Sequence, residues 1–194
     1  MLDASNLPQP SEGARAVSDR LSECICAAIA EAGGHIGFEE YMRMALYEPG
    51  LGYYLAGAVK FGAQGDFVTA PEISPLFGAS IARQCDEVLT RTGGDILEFG
   101  AGSGLLAVQV LTELAKLGGL PQRYKILELS PDLRERQRLT LEKYAPALAD
   151  RVEWITDIPS MPMDGVVLAN EIVDALPVKV FRTLAGQIYE RRVQ

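Results

Sequence analysis

The stretch Asp95-Ile96-Leu97-Glu98-Phe99-Gly100-Ala101-Gly102-Ser103-Gly104-Leu105-Leu106 constrains the fold more than any other part of the chain. A short run with Ile96, Leu97 and Phe99 gives way to three alternating glycines, and then to a helical pattern from Leu105 to Leu117 closed by Gly118-Gly119. This reads as a buried strand, a sharp turn and a helix. Glycines permit positive φ and the close approach of a ligand, and the free N–H groups of a helix start point into the adjoining crevice. The same grammar continues downstream. Tyr124 to Leu129 is a second strand, and Pro131 to Tyr144 a helix with Ser130 as N-cap and Pro131 at its first position. Val152 to Ile155 and Gly165 to Ala169 are two more strands. Strands alternating with helices predict an α/β fold, a doubly wound Rossmann-like parallel sheet with crossover helices. Its ligand site lies at the carboxyl ends of the strands.

The sequence after Leu176, PVKVFRTLAGQIYERRVQ, alternates like a hairpin around Ala185-Gly186. A doubly wound sheet normally continues with a further helix and strand, so the core is expected to be incomplete at the C-terminus and the chain to be part of a longer protein.

Upstream of the glycine loop the pattern is different. Residues 1–14 are rich in Pro, Ser and Gly and are expected to fray. Ala16 to Ala32 is helical, with an apolar stripe of Val17, Leu21, Cys24, Ile25, Ala28 and Ile29. Phe38 to Leu46 is a short second helix. Residues 50–78 are dense in Gly and aromatics, which fits a functional loop better than a linker. Pro75 to Arg91 is amphipathic, with Leu76, Phe77, Ile81, Ala82, Cys85, Val88 and Leu89 expected to face inward. The division this implies is a helical extension with a covering loop over residues 1–92 and the sheet-based core over 93–194.

Composition excludes several classes. The formal net charge of −8 makes nucleic acid a disfavoured partner. Cys24, Cys26 and Cys85 make an odd set, which fits a reducing compartment rather than a disulfide framework. With a single histidine, His35, no metal site is expected. No apolar run has the length of a membrane span, and the N-terminus lacks a signal-like apolar core. A cytoplasmic location is the expectation.

The chemistry around the loop narrows the ligand. The dinucleotide fingerprint is G-x-G-x-x-G, whereas here the glycines run G-x-G-x-G and Leu105 stands where the third dinucleotide glycine belongs. Glu98, two residues before Gly100, is unhelpful beside a pyrophosphate and suits a cationic or amino-bearing ligand. Glu128 closes the second strand, where a carboxylate accepts hydrogen bonds from both ribose hydroxyls of a nucleoside. Asp157 follows the third strand, where an adenine amino group would lie. The plainer alternatives are a bare strand–helix turn, a solvated strand-end charge at Glu128 and an Asx turn at Asp157.

Glu98-x-Gly100-x-Gly102-x-Gly104, with an acid ending the second strand, resembles the class I S-adenosylmethionine-dependent methyltransferases. FEEYMRMALYEPGLGYY, GAQGDFVTAPEISPLFG, LEFGAGSG, YKILELSPDLRERQ and VLANEIVDALPVKVF together resemble the MidA family, a bacterial and mitochondrial group whose mitochondrial member acts in assembly of respiratory complex I. The resemblance runs from about Ile36 to the C-terminus. It implies S-adenosyl-L-methionine as cofactor, held by Glu98, Gly100, Gly102, Gly104, Glu128 and Asp157, with Asp66 at the cofactor's ammonium and Phe67 over its ribose or adenine. It also implies a protein partner carrying an acceptor arginine. On that reading Asn170, Glu171 and Asp174, directly after the fourth strand, face the reactive end. Glu171 would grip the guanidinium in bidentate fashion, Asn170 would orient the acceptor or the methionine moiety, and Asp174 is a second candidate acid. The alternative for Asn170 and Asp174 is capping of a helix near Ile172. Two rival functions remain at this point: a nicotinamide-dependent oxidoreductase, and a non-catalytic assembly protein that retains the fold.

Overall fold

In a computed structural model the described residues are 9–56, 68–160 and 162–194. Asp66 and Phe67 lie outside them. The chain forms two compact units, one of residues 1–58 with 175–194 and one of residues 59–174. A boundary near residue 92 therefore does not coincide with either unit: the helix before it belongs with the sheet, and the last 20 residues belong with the N-terminal part.

The larger unit is built on four parallel strands: β2 (Asp95–Phe99), β3 (Tyr124–Leu127), β4 (Val152–Ile155) and β5 (Gly165–Leu168), in the spatial order β4-β3-β2-β5. The first three strands of this sheet are laid down in one direction and the fourth returns to the other side of the first. That reversal marks the switch point at which doubly wound sheets bind ligands, between β2 and β5. The registers pair Ile96 with Tyr124 and Val166, and Tyr124 with Val152. Ile96, Tyr124 and Ile126 are fully buried, as expected of strands covered on both faces.

Helix α3 (Ala70–Ile73) is followed by α4 (Pro75–Thr92), α5 (Leu105–Leu117) and α6 (Pro131–Tyr144). α4 and α6 have serine caps: Ser74 Oγ accepts from Leu76 N–H at 3.2 Å, and Ser130 Oγ from Leu133 N–H at 3.4 Å. α5 ends at Gly118 in the left-handed conformation, φ 78°. The inward face of α4 is Gly78, Ala82, Cys85 and Leu89. Leu76 and Val88, expected inside, are exposed. The small residue Gly78 sets this face instead, because a Cβ there would run into Gln109 of α5.

In the smaller unit, α1 (Glu12–Glu31) starts earlier than expected. Ser11, within the stretch expected to fray, is its N-cap and accepts from Ala14 N–H at 3.2 Å. The predicted apolar stripe of α1 is its half-buried face. β1 (Ile36–Gly37) leads into α2 (Phe38–Tyr47), and pairs antiparallel with β8 (Arg192–Val193). β6 (Phe181–Leu184) and β7 (Gln187–Glu190) form the predicted hairpin. Its turn residues Ala185 and Gly186 both have positive φ, as a type I′ connection requires.

Candidate functional site

The glycine loop leaves β2 and enters α5 through three residues of positive φ: Gly100 at 58°, Gly102 at 54° and Gly104 at 83°. At two of them a side chain would also be crowded. A Cβ on Gly100 would lie 2.6 Å from Ile172 Cδ1, and one on Gly104 would lie 3.1 Å from Gln137 Cα. Conformation and packing thus both select glycine here. Gly100 N–H donates to Leu127 O at 3.0 Å, so the loop is stitched to the end of β3.

Glu128 stands one residue past β3 and is 8% exposed. Oε1 accepts from Ser130 N–H at 3.0 Å, and Oε2 from Gln137 Nε2 at 3.1 Å. Burial raises its pKa; hydrogen bonds from Ser130 N–H and the Gln137 amide oppose that rise. Each carboxylate oxygen keeps further acceptor capacity, which is what a vicinal diol requires. Gln137, which the sequence reading passed over, is fully buried on α6. Its second amide hydrogen goes to Gly102 O at 3.2 Å, and its Oε1 accepts from Trp154 Nε1 on β4 at 2.9 Å. Arg134 donates Nε to Glu128 O at 2.8 Å.

Glu98 is 2% exposed and does not hold the loop amides. Strand alternation puts it on the face of Ile96, where Tyr124 Oη donates to Oε2 at 2.7 Å. Burial pushes its carboxyl up to about 7, only partly opposed by the tyrosine hydroxyl. Glu72, on α3, reaches the loop: Ser103 Oγ donates to Glu72 Oε1 at 2.5 Å. α3 is tied to α5 as well, since Gln109 Nε2 donates to Pro71 O at 2.8 Å. Glu72 is thus a loop-binding residue, one that no local pattern in the sequence singles out.

At the end of β5 the character changes. Asn170 is half-buried, while Glu171 and Asp174 are exposed. Glu171 has φ 54°, a left-handed conformation that is uncommon outside glycine. Ile172 rests against Gly100, so this segment and the glycine loop meet at the switch point. Asp174 lies in a single 3-10 turn, Val173–Ala175. Asp157, past β4, is exposed and accepts from Thr156 Oγ1 at 2.8 Å.

A separate polar cleft opens at the other end of the sheet, lined by Thr92, Asp95, Gln122, Lys125 and Asp164 among others. Its Asp95 is neutralised internally, by Lys125 Nζ at 2.6 Å and Arg123 N–H at 2.9 Å. Among the described residues there is no metal-ligating cluster, and no helix is long and apolar enough to cross a membrane.

The donor set at the crevice fits S-adenosylmethionine. A loop of three left-handed glycines sits beside the buried Glu128 carboxylate, whose oxygens keep the acceptor capacity a ribose diol needs. A buried carboxylate at that position suits the ribose of a nucleoside and opposes a pyrophosphate. Residues 80–194 match the model of a family described as "Putative S-adenosyl-L-methionine-dependent methyltransferase". The chain is 31% identical to the mitochondrial protein arginine methyltransferase NDUFAF7 homolog of Drosophila melanogaster, over 94% of this chain and 46% of the relative. It is 32% identical to mitochondrial NDUFAF7 of Xenopus tropicalis, over 79% and 41%. A crystal structure of a Burkholderia thailandensis protein bound to S-adenosyl-homocysteine superposes with a TM-score of 0.90 at 46% identity, over 96% of this chain and 49% of that one. The chain therefore spans less than half the length of these relatives.

Proposed function

The chain belongs to the MidA-like family of S-adenosyl-L-methionine-dependent methyltransferases, and from that premise we propose that the protein methylates an arginine side chain of a protein partner. The observation that carries the proposal is the meeting of two segments at the switch point: the cofactor loop at Gly100 packs on Ile172, the residue after Glu171. A carboxylate beside the loop that binds the methyl donor is suited to hold a guanidinium in a paired hydrogen bond and turn one nitrogen toward the donor. S-adenosylmethionine supplies, when bound, an electrophilic methyl on sulfur. The residues of this chain supply position: Glu128 and the glycine loop for the nucleoside, Asn170 and Glu171 for the acceptor. Asp174 and Asp157 remain candidates at the rim, each exposed. The printed names of the curated relatives, which are protein arginine methyltransferases, support arginine over other acceptors. A respiratory-complex subunit as the partner and a cytoplasmic location are further parts of the proposal.

The test is transfer of labelled methyl to protein, comparing wild type with Glu171→Gln in the full-length protein. Loss of transfer with S-adenosylhomocysteine affinity retained supports the reading. Unchanged transfer removes Glu171 from the mechanism, and absence of transfer by wild type to any arginine-bearing partner favours the assembly-protein alternative.

A further inference from the structure

We propose that Gln137 is a positioning residue for cofactor recognition: its buried amide fixes the Glu128 carboxylate against the glycine loop and β4, so that selection for the ribose hydroxyls runs through it. The inference rests on the cofactor reading given above.

The side chain is an amide at a place where packing alone would favour an aliphatic group. On the largely polar helix α6 only Gln137 and Leu141 are buried, one turn apart. Burying an amide costs free energy unless its groups are bonded. Here both Nε2 hydrogens and the Oε1 oxygen have partners, and the three partners belong to three different parts of the site. Gly102 O is in the loop that lines the crevice. Glu128 Oε2 is one half of the diol-binding carboxylate. Trp154 Nε1 is on β4, the strand that ends toward Asp157.

The pattern of donors and acceptors is specific to glutamine. Two acceptors, Gly102 O and a carboxylate oxygen, need two donors, and the indole N–H needs an acceptor. An ionised glutamate would face the Glu128 carboxylate with no hydrogen to give. Asparagine is one methylene short, and methionine has the length without the polarity. The Glu128 carboxylate is held at both oxygens, by Ser130 N–H on one and Gln137 on the other. With the Gln137 bond gone, the carboxylate is free to turn about its last torsion and present one oxygen rather than two. A Cβ on Gly104 would lie 3.1 to 3.4 Å from the Cα, Cβ and Cγ of Gln137, so a shifted residue 137 also disturbs the loop.

The experiment is calorimetric titration of the full chain with S-adenosylhomocysteine and with its analogue lacking both ribose hydroxyls. The proteins are wild type, Gln137→Met, Glu128→Gln and the double variant, together with Trp154→Phe, which removes only the bond to Oε1. If Gln137 acts through Glu128 on the ribose, Gln137→Met weakens S-adenosylhomocysteine by roughly 10- to 50-fold and the analogue by no more than about twofold, the size of coupling expected for groups in one network. The double variant then binds no worse than Glu128→Gln. Trp154→Phe shows the same selectivity at roughly threefold, which keeps the test alive if Gln137→Met does not fold. Equal losses for the two ligands, in either variant, overturn the proposal and leave Gln137 a packing residue. If wild type binds neither ligand, the cofactor reading falls and this inference falls with it.

Discussion

The two sides of the switch point are built differently. On the β2–β3 side the candidate carboxyls of β2 and the end of β3 are buried and bonded: Glu98 to Tyr124, Glu128 to Ser130 and Gln137. On the β5 side Glu171 and Asp174 are exposed, and the backbone at Glu171 is in a conformation that costs energy. The first side is organised before any ligand arrives, so its groups lose little freedom on binding. The second is open, which suits a protein acceptor that brings its own surface. One nucleoside cofactor with fixed functional groups can be met by a fixed site, whereas a protein acceptor has to be admitted.

The largest effect expected from this contrast is on ligand affinity. Glu128→Ala removes the proposed diol acceptor and leaves one Gln137 amide hydrogen and the Ser130 N–H without a partner. Loss of a charge-assisted pair of this kind costs about 2 to 4 kcal/mol, or roughly 30- to 1000-fold in S-adenosylhomocysteine affinity. Glu171→Gln leaves the same titration unchanged within about twofold, since the exposed side plays no part in holding the nucleoside. Comparable losses in both variants would erase the distinction between the sides.

Much of this arrangement is legible in the sequence, for physical reasons. The strand–loop–helix unit is local: Gly100, Gly102 and Gly104 announce positive φ, and the dihedrals bear this out. Glu128 is fixed by its place at a strand end. Gln137 was not legible, because a helix pattern says which face is inward only through apolar residues, and α6 is mostly polar. The available signal was the spacing Leu133, Gln137, Leu141, an amide in an otherwise apolar row. The start of α1 is hidden because Ser11, its cap, sits in a Pro- and Ser-rich segment that reads as frayed. Leu76 and Val88 were misplaced because α4 packs through Gly78 and Ala82, and a close approach by small residues leaves larger neighbours outside. The pairing of β1 with β8 joins segments some 155 residues apart, beyond the reach of any local pattern.

A second contrast is in pH dependence. The Glu98 carboxyl is held at about 7 by burial, against a usual value of 4.5. A raised acid pKa means that the folded state holds a proton the unfolded chain releases. The fold therefore has its full Glu98 contribution below pH 4.5 and loses it progressively as pH rises to about 7, with no further change above. The window spans about 2.5 pH units, worth on the order of 3 kcal/mol. Glu98→Gln keeps an acceptor for the Tyr124 hydroxyl and does not titrate. It should gain stability relative to wild type between pH 5 and pH 8, read as the difference between the two denaturation curves at each pH. Glu128, also raised by burial, tilts both curves alike and cancels in that difference. Curves that stay parallel would show that Glu98 does not hold its proton in the folded chain.

The smallest effect separates strain from chemistry on the open side. A non-glycine residue in the left-handed region costs about 1 to 2 kcal/mol, while glycine costs about 0.5 to 1 kcal/mol through its freedom in the unfolded chain. The two partly cancel, so Glu171→Gly should raise stability by no more than about 1.5 kcal/mol, or a few degrees in Tm. If the strain serves only to shape the backbone, Glu171→Gly keeps that shape and the transfer activity with it. If the carboxylate is what the acceptor needs, Glu171→Gly and Glu171→Gln lose transfer together although one relieves the backbone and the other does not. A protein that is more stable, binds S-adenosylhomocysteine normally and transfers no methyl would show that the left-handed turn is kept because it holds a carboxylate where the cofactor loop and the acceptor meet.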